Sequence, residues 1–195
     1  MKRNDTNEVP LHVEDNPVVQ ADVAVATEMT RYQDHPVVKV AAFAGEILDQ
    51  PPLFTVCGAV VAWGLLTGDR ELARHGGHML ASAVVATWIK GGIKKIVARP
   101  RPNVLPEVGG HEVSLMGPDE GPWNSFPSGH TAGGMAVARA IARARPDLGL
   151  PAYAALVTLV AARLPQGGHY PIDLLAGAVV GAVAEAAVAR VSPLA

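Results

Sequence analysis

The sequence predicts an all-α protein, a helical bundle of about five to six helices, read as a polytopic membrane bundle. Three observations carry that expectation. Apolar residues make up 49% and charged residues 17% of the 195 residues, where an ordinary soluble domain carries about 25% charge. The apolar residues gather in blocks long enough for helices. Strict apolar–polar alternation never lasts more than a few residues, so no β structure is expected. At roughly 100–200 residues per domain, the chain forms one folded domain.

Residues 1–35 read as a flexible acidic N-terminal tail, broken by Pro10 and Pro17, with at most a short, weakly amphipathic helix over residues 18–30. The tail carries seven acids against three bases, a net charge of −4, whereas the folded domain, 36–195, carries 13 bases and 11 acids. Over residues 36–49, Val37, Val40, Ala41, Ala44 and Ile47 recur at helical spacing in an amphipathic helix too short to span a bilayer. Residues 51–68 are uncharged and reach the ~18–20 residues that a span requires. A charged break at 69–74 leads to a second uncharged stretch, 75–89, closed by Lys90. Residues 99–127, rich in Pro and Gly, read as a long loop, and a loop of that length in a compact domain is usually functional. A small-residue helix over 131–145 is interrupted by Arg139 and Arg143. The apolar segments 150–162 and 174–191 follow, the second broken by Glu185 and Arg190.

Of the five longer apolar segments only 51–68 spans by length without a charge, so a soluble or membrane-associated Ala-rich bundle stands as the alternative. If the segments alternate, Arg70 and Arg74 share a side with Arg139, Arg143 and Arg145. The positive-inside rule makes that side cytoplasmic. The expectation is a multi-pass protein of the cell (inner) membrane, with loops 99–127 and 163–171 on the outer side. No secretory signal peptide is expected, because Met1–Arg3 is followed by polar and acidic residues. The lone Cys57 excludes a disulfide framework and a Cys-based zinc site. A net charge of −2 argues against nucleic acid as a partner.

Three clusters carry chemistry, each at a segment end. Lys94 and Arg101 pair a point charge with a planar guanidinium, which suits a phosphate-like anion. Pro127-Ser128-Gly129-His130 opens a helix. Ser128 would cap it, the following N–H groups would attract an anion, Gly129 would let a ligand approach the backbone, and His130 could donate a proton. In the third cluster, His169 and Asp173 stand four apart where Pro171 starts a helix, and Arg163 lies across a Gly-Gly turn. A carboxylate at that spacing can hold the imidazole N–H and leave the other nitrogen to attack. Each cluster alone also has a plain structural reading: bases at a membrane border, an ordinary N-cap, a helix-capping Asp. Together, three bases and two histidines on one side ask for a multiply charged oxyanion.

Lys94-x6-Arg101-Pro102, Pro127-Ser128-Gly129-His130 and Arg163-x5-His169-x3-Asp173 resemble, in order and spacing, the three-part signature of the type 2 phosphatidic acid phosphatase superfamily. Vanadium haloperoxidases and bacterial class A acid phosphatases also belong to it. The resemblance implies a phosphatase that needs no metal or other cofactor. His169 would attack phosphorus to form a phosphohistidine, Asp173 would orient it, and His130 would protonate the leaving group. Lys94, Arg101 and Arg163, with Ser128 and the Gly129 N–H, would bind the phosphate oxygens. The implied substrate is a lipid phosphate or pyrophosphate of the phosphatidic acid, phosphatidylglycerophosphate or polyprenyl pyrophosphate type. One position departs from the pattern. Ala162 stands where the family usually has Ser, and the expected effect is one lost hydrogen bond. A soluble acid phosphatase, a vanadate-dependent haloperoxidase and a silent lipid-binding scaffold are the alternatives.

The remaining polar residues take structural readings first: His75 and His78 interfacial; Glu46 and Asp49 a solvated helix end, with a place near the site mouth as the alternative; and His111, Glu112, Asp119 and Glu120 a solvated loop, with a role in substrate entry as the alternative. Cys57 reads as buried and inert.

Overall fold

A computed structural model describes residues 9–11, 15–108, 110–118 and 121–192. In chain order, the elements begin with strand β1 (Val9–Leu11) and helices α1 (Pro17–Met29), α2 (Pro36–Gly45), α3 (Gln50–Thr67) and α4 (Arg70–Ile96). Strand β2 (Val97–Ala98), the single turn α5 (Leu105–Val108) and strand β3 (Val113–Leu115) follow. Helices α6 (Gly129–Ala144), α7 (Gly149–Ala161) and α8 (Pro171–Val191) complete the fold. Five long helices, α3, α4, α6, α7 and α8, make the bundle, and α6 packs against each of the other four.

Local chemistry sets the helix ends. Gly68 closes α3 at φ 74°, a left-handed conformation that favours glycine. The next residue, Asp69, caps α4 by accepting from the Leu72 N–H at 2.9 Å. The α3–α4 hairpin is therefore written in two adjacent residues. Ser128 caps α6, and Pro171 starts α8.

Small residues let the helices close on one another. Ala86 of α4, Ala132 and Ala136 of α6, and Val180 and Ala184 of α8 form one buried cluster. A side chain at Gly181 would run into the Ala132 carbonyl, and one at Gly177 into the Ser128 carbonyl. The α6–α8 seam is thus a small-xxx-small contact, with backbones too close for a methyl group. That contact sets the start of α6 against the start of α8, where the Ser128 N–H donates to the Asp173 carbonyl at 3.0 Å.

Charge inside the bundle is paired. Glu185, in mid-α8, has no exposed surface. Arg143 donates to it at 2.5 and 3.1 Å and Arg139 at 3.1 Å, while His78 Nε2 lies 3.3 Å away. The two arginines that interrupt the small-residue helix and the glutamate that breaks the last one therefore satisfy each other across α6 and α8. A buried carboxylate without such partners would be strongly destabilising. His78 is part of this cluster and is buried, where the sequence suggested an interfacial position.

Two described helices, α3 and α8, are long and apolar enough to cross a membrane. At 1.5 Å per residue, α4 is roughly 40 Å long and matches them in reach.

Helix α4 takes in most of the stretch 69–74 read as a charged break, and the structure differs from the sequence reading in two further places. A small antiparallel sheet in the order β1-β3-β2 exists where no β structure was expected. Its strands of two or three residues are too short to show alternation, and they pair because the loop backbone needs hydrogen-bond partners. The second difference lies in the stretch read as a flexible tail. Residues 17–29 form α1, and Asp22 and Ala26 are buried on its inner face. Asn16 caps that helix by accepting from the Val18 N–H. Residues 1–8 and 12–14 of that stretch lie outside the described residues.

Gly181→Ala is expected to destabilise the protein by about 1–3 kcal/mol, because the methyl must part α6 from α8. Gly58→Ala, whose methyl meets nothing, should be neutral or stabilising. Melting temperatures of the two variants in the same detergent check the pair; equal shifts would contradict the seam.

Candidate active site

Helix alternation brings the C-terminal ends of α4 and α7 and the N-terminal ends of α3, α6 and α8 to one end of the bundle. Every residue singled out for chemistry sits there. The loops between these ends supply the rest.

Asp173, in the first turn of α8, caps its helix by accepting from the Tyr170 N–H through Oδ2 at 2.9 Å. Its other oxygen accepts from Arg99 at 2.7 Å. His169 lies just before α8 and is buried. Its Nδ1 is 2.8 Å from the Ser125 carbonyl and 3.7 Å from Asp173 Oδ2. The 3.7 Å approach is too long for a hydrogen bond. The backbone carbonyl therefore fixes the tautomer, with the proton on Nδ1, and the carboxylate acts through its charge. The spacing of His169 and Asp173 had assigned the whole of that task to the carboxylate. Nε2 is left as the nitrogen with a lone pair. Burial pushes the His169 pKa down, against the opposing pull of Asp173, so the imidazole is neutral below the usual histidine range.

Arg163, after α7, is buried. Its NH1 donates to Glu46 at 2.9 Å and to Gln166 at 3.1 Å. Nε and NH2 are buried with no hydrogen-bond partner. Guanidinium donors left over beside an ion pair are suited in geometry and charge to an oxyanion. Glu46, exposed as the sequence reading has it, is the residue that aims it.

Arg101 is held by its Nε on the Gly121 carbonyl at 3.0 Å and by one NH2 on Asn124 at 3.1 Å. Its remaining nitrogen lies against Gly168, next to His169. Lys94 donates to the Asn124 carbonyl and lies within Coulombic reach of Arg101, Lys90 and Asp173.

Ser128 is fully buried, and its hydroxyl accepts from the Thr131 hydroxyl at 3.1 Å. Gly129 lies against the end of the Lys90 side chain, where an added Cβ would come within 3.1 Å of it. His130, one residue on, keeps Nε2 buried and unpartnered and feels the charges of Arg163, Asp49, His169 and Glu46. Ala162, in place of the usual Ser, is buried at the end of α7.

All eight residues expected at the site thus lie at one end of the bundle. Five others were missed. Lys90 lies one helical turn before Lys94, a spacing that could have revealed it. Arg99 stands two residues before Arg101, in an Arg-Pro-Arg-Pro run whose first arginine carried no separate signal. Glu46, Asp22 and Ser125 are tied to their partners only by tertiary contact. Among the described residues, no group of three or more His, Cys, Asp and Glu is placed to hold a metal ion.

The sequence pattern of the PAP2 superfamily matches residues 76–194. No curated protein matches the sequence. Among solved structures, the chain is similar to a transmembrane PAP2-type phosphatidylglycerolphosphate phosphatase from Bacillus subtilis. The two share 22% identity with a TM-score of 0.55, over 92% of this chain and 88% of that one.

Arg163→Ala is expected to weaken the binding of inorganic phosphate roughly 10- to 100-fold, the effect of losing charge-assisted hydrogen bonds worth about 1.5–3 kcal/mol. Calorimetric titration of the detergent-solubilised protein measures it. Unchanged affinity would show that the two unpartnered nitrogens do not face the anion.

Proposed function

The chain belongs to the PAP2 superfamily, and we propose that it is a metal-independent phosphatase that hydrolyses a lipid phosphate or lipid pyrophosphate through a phosphohistidine. The observation that carries this reading is the pairing of His169, tautomer fixed by Ser125, with Arg163, two of whose donors are unused. Nucleophile and oxyanion clamp face one end of the bundle together.

The chemistry follows from the geometry. His169 Nε2 attacks phosphorus as the bond to the leaving oxygen breaks. His130 delivers a proton to that oxygen, so the product leaves as a neutral hydroxyl or as a less charged phosphate. Lys94, Arg101 and Arg163 neutralise the three equatorial oxygens, with the first N–H groups of α6 behind Ser128 and Gly129 adding dipole. Water then attacks the phosphohistidine, giving its proton to His130 and releasing phosphate and the free imidazole. Little covalent work falls to the protein; positioning and charge do most of it.

A membrane setting supports a lipid substrate. Helices α3 and α8 are apolar enough to span. Trp63 and Trp88 are exposed toward opposite ends of the bundle, as interface-seeking indoles are. In this reading the chain is a multi-pass protein of the inner membrane. Arg70, Arg74 and Arg145 mark the cytoplasmic end, and the site faces outward. Phosphatidic acid, phosphatidylglycerophosphate and polyprenyl pyrophosphate are the substrate types to test.

A panel of these lipids, assayed in detergent with EDTA and vanadate controls, tests the reading. EDTA-resistant, vanadate-sensitive turnover is expected. Wild-type protein that binds phosphate but hydrolyses none of them would instead be a silent scaffold. Release from membranes by carbonate without detergent would favour a soluble acid phosphatase. His169→Ala should lower kcat ~10,000-fold or more while phosphate still binds. His130→Ala should cost about 10²–10⁴-fold with poor alkoxide leaving groups and much less with a good one; equal losses would remove it as the acid.

The pH dependence has a definite sign. The nucleophile must be neutral, and burial lowers the His169 pKa from its ordinary value of about 6.5. Activity set by His169 is therefore full above that lowered pKa and lost as pH falls through it. The acid limb of kcat/KM is expected below pH ~6.5. A limb above that value would contradict a desolvated nucleophile.

A further inference from the structure

Arg99 is engaged on every side, and none of its bonds is to the oxyanion site. Its NH1 donates to Asp173 at 2.7 Å, its NH2 to Asp22 at 2.6 Å, and its Nε to His111 at 3.0 Å. The guanidinium lies over the Tyr170 ring, 3.8 Å from the centroid. Only 4% of Arg99 is exposed, and Asp22 and Asp173 are buried with it.

Its backbone reaches the nucleophile by a second route. The Arg99 N–H donates to the Trp123 carbonyl at 2.8 Å, and its carbonyl accepts from the Ser125 N–H at 3.1 Å. Ser125 is the residue whose own carbonyl faces His169 Nδ1. One residue thus fixes both partners of the imidazole, the carboxylate through its side chain and the carbonyl through its main chain.

Asp22 completes the arrangement from outside the matched region. Its second oxygen accepts from the Ile172 N–H at 2.9 Å, in the first turn of α8, where a carboxylate is favoured by the helix dipole. A helix in the supposed tail is thereby bonded both to Arg99 and to the helix that carries Asp173.

We propose that Asp22 and Arg99 are positioning residues for the reaction: Asp22, on α1, fixes Arg99, and Arg99 fixes both the carbonyl that holds His169 and the carboxylate that acts on it through its charge. The proposal rests on the reading of His169 as the nucleophile. Neither residue touches substrate. Arg101, two residues on, binds the anion, while Arg99 is committed to the protein.

A staple for α1 would use the same contacts, but the charges separate the two roles. The charged and titratable groups that face His169 are Asp173 on α8, Lys94 at the end of α4, Arg101 in the loop after β2, and His130 on α6, with Arg163, Asp49 and Glu46 beyond it. Asp22→Asn removes a negative charge behind Asp173, so protonated His169 is less favoured. Arg99→Gln removes a positive charge, so protonated His169 is more favoured.

The experiment compares full-length wild type, Asp22→Asn, Arg99→Gln, the double variant and Asp22→Glu, all in detergent on one lipid phosphate. Both single variants should lose about tenfold or more in kcat with KM within about threefold. The acid limb of kcat/KM should move to lower pH in Asp22→Asn and to higher pH in Arg99→Gln, and return near wild type in the double variant. Asp22→Glu, which keeps the carboxylate, should keep the wild-type limb and recover part of kcat. Melting temperature and binding of inorganic phosphate check that each variant is folded. If Arg99→Gln does not fold, the downward shift in Asp22→Asn and its recovery in Asp22→Glu decide. Wild-type kcat and limb in Asp22→Asn, or limbs that move together in both single variants, overturn the proposal. A wild-type protein that hydrolyses no lipid phosphate fails at the earlier step, and takes the proposal with it.

Discussion

A charge buried in an apolar bundle needs an opposite charge within reach, and most of this structure follows from meeting that need. Taking a carboxylate or a guanidinium out of water costs several kcal/mol unless a partner replaces the lost solvation. At one end, Glu185 draws Arg139 and Arg143 across α6 and α8. At the other, Asp173 and Asp22 share Arg99, and Glu46 takes one nitrogen of Arg163. Pairing is therefore how the helices are registered against one another, as well as how they tolerate charge.

The same rule picks out the site, because there it is broken. Lys94, Arg101 and the remaining donors of Arg163 exceed the carboxylates available to them, since Asp173 is already held by Arg99. What is left is a concentrated positive field beside a neutral imidazole, with part of Arg163 buried and unpartnered. That arrangement is unfavourable for an empty protein and favourable for one holding a multiply charged oxyanion. Function is read most directly from the pairs that are not made.

Close packing makes the field possible. Gly177 and Gly181 let α8 lie against α6 without intervening side chains. The N-termini of both helices then converge, bringing Ser128 to the Asp173 carbonyl. A bulkier seam would separate the two motifs, although every side chain proposed for catalysis would still be present.

Much of this was legible in the sequence. The helical blocks and the three motifs with their spacing depend on residues close in the chain, where local propensity and capping decide. The eight residues proposed for the site were picked out from those motifs, and their roles from the family resemblance. Partners far apart in sequence were not legible. Asp22 stood in an acidic stretch with no period, and nothing near it hinted at Arg99, 77 positions on. Glu46 gave no hint of its arginine, which is 117 positions away. The Ser125 carbonyl had no side-chain signature, so the hydrogen bond to His169 was credited to Asp173. The opening composition, too apolar for a soluble domain and too charged for a plain membrane bundle, has the same resolution. Sequence alone carried the three motifs and the approximate places of the helical blocks. Only the tertiary structure decided which charges neutralise one another and which remain for a ligand, because that choice is made by distances of a few ångströms between residues the sequence keeps apart.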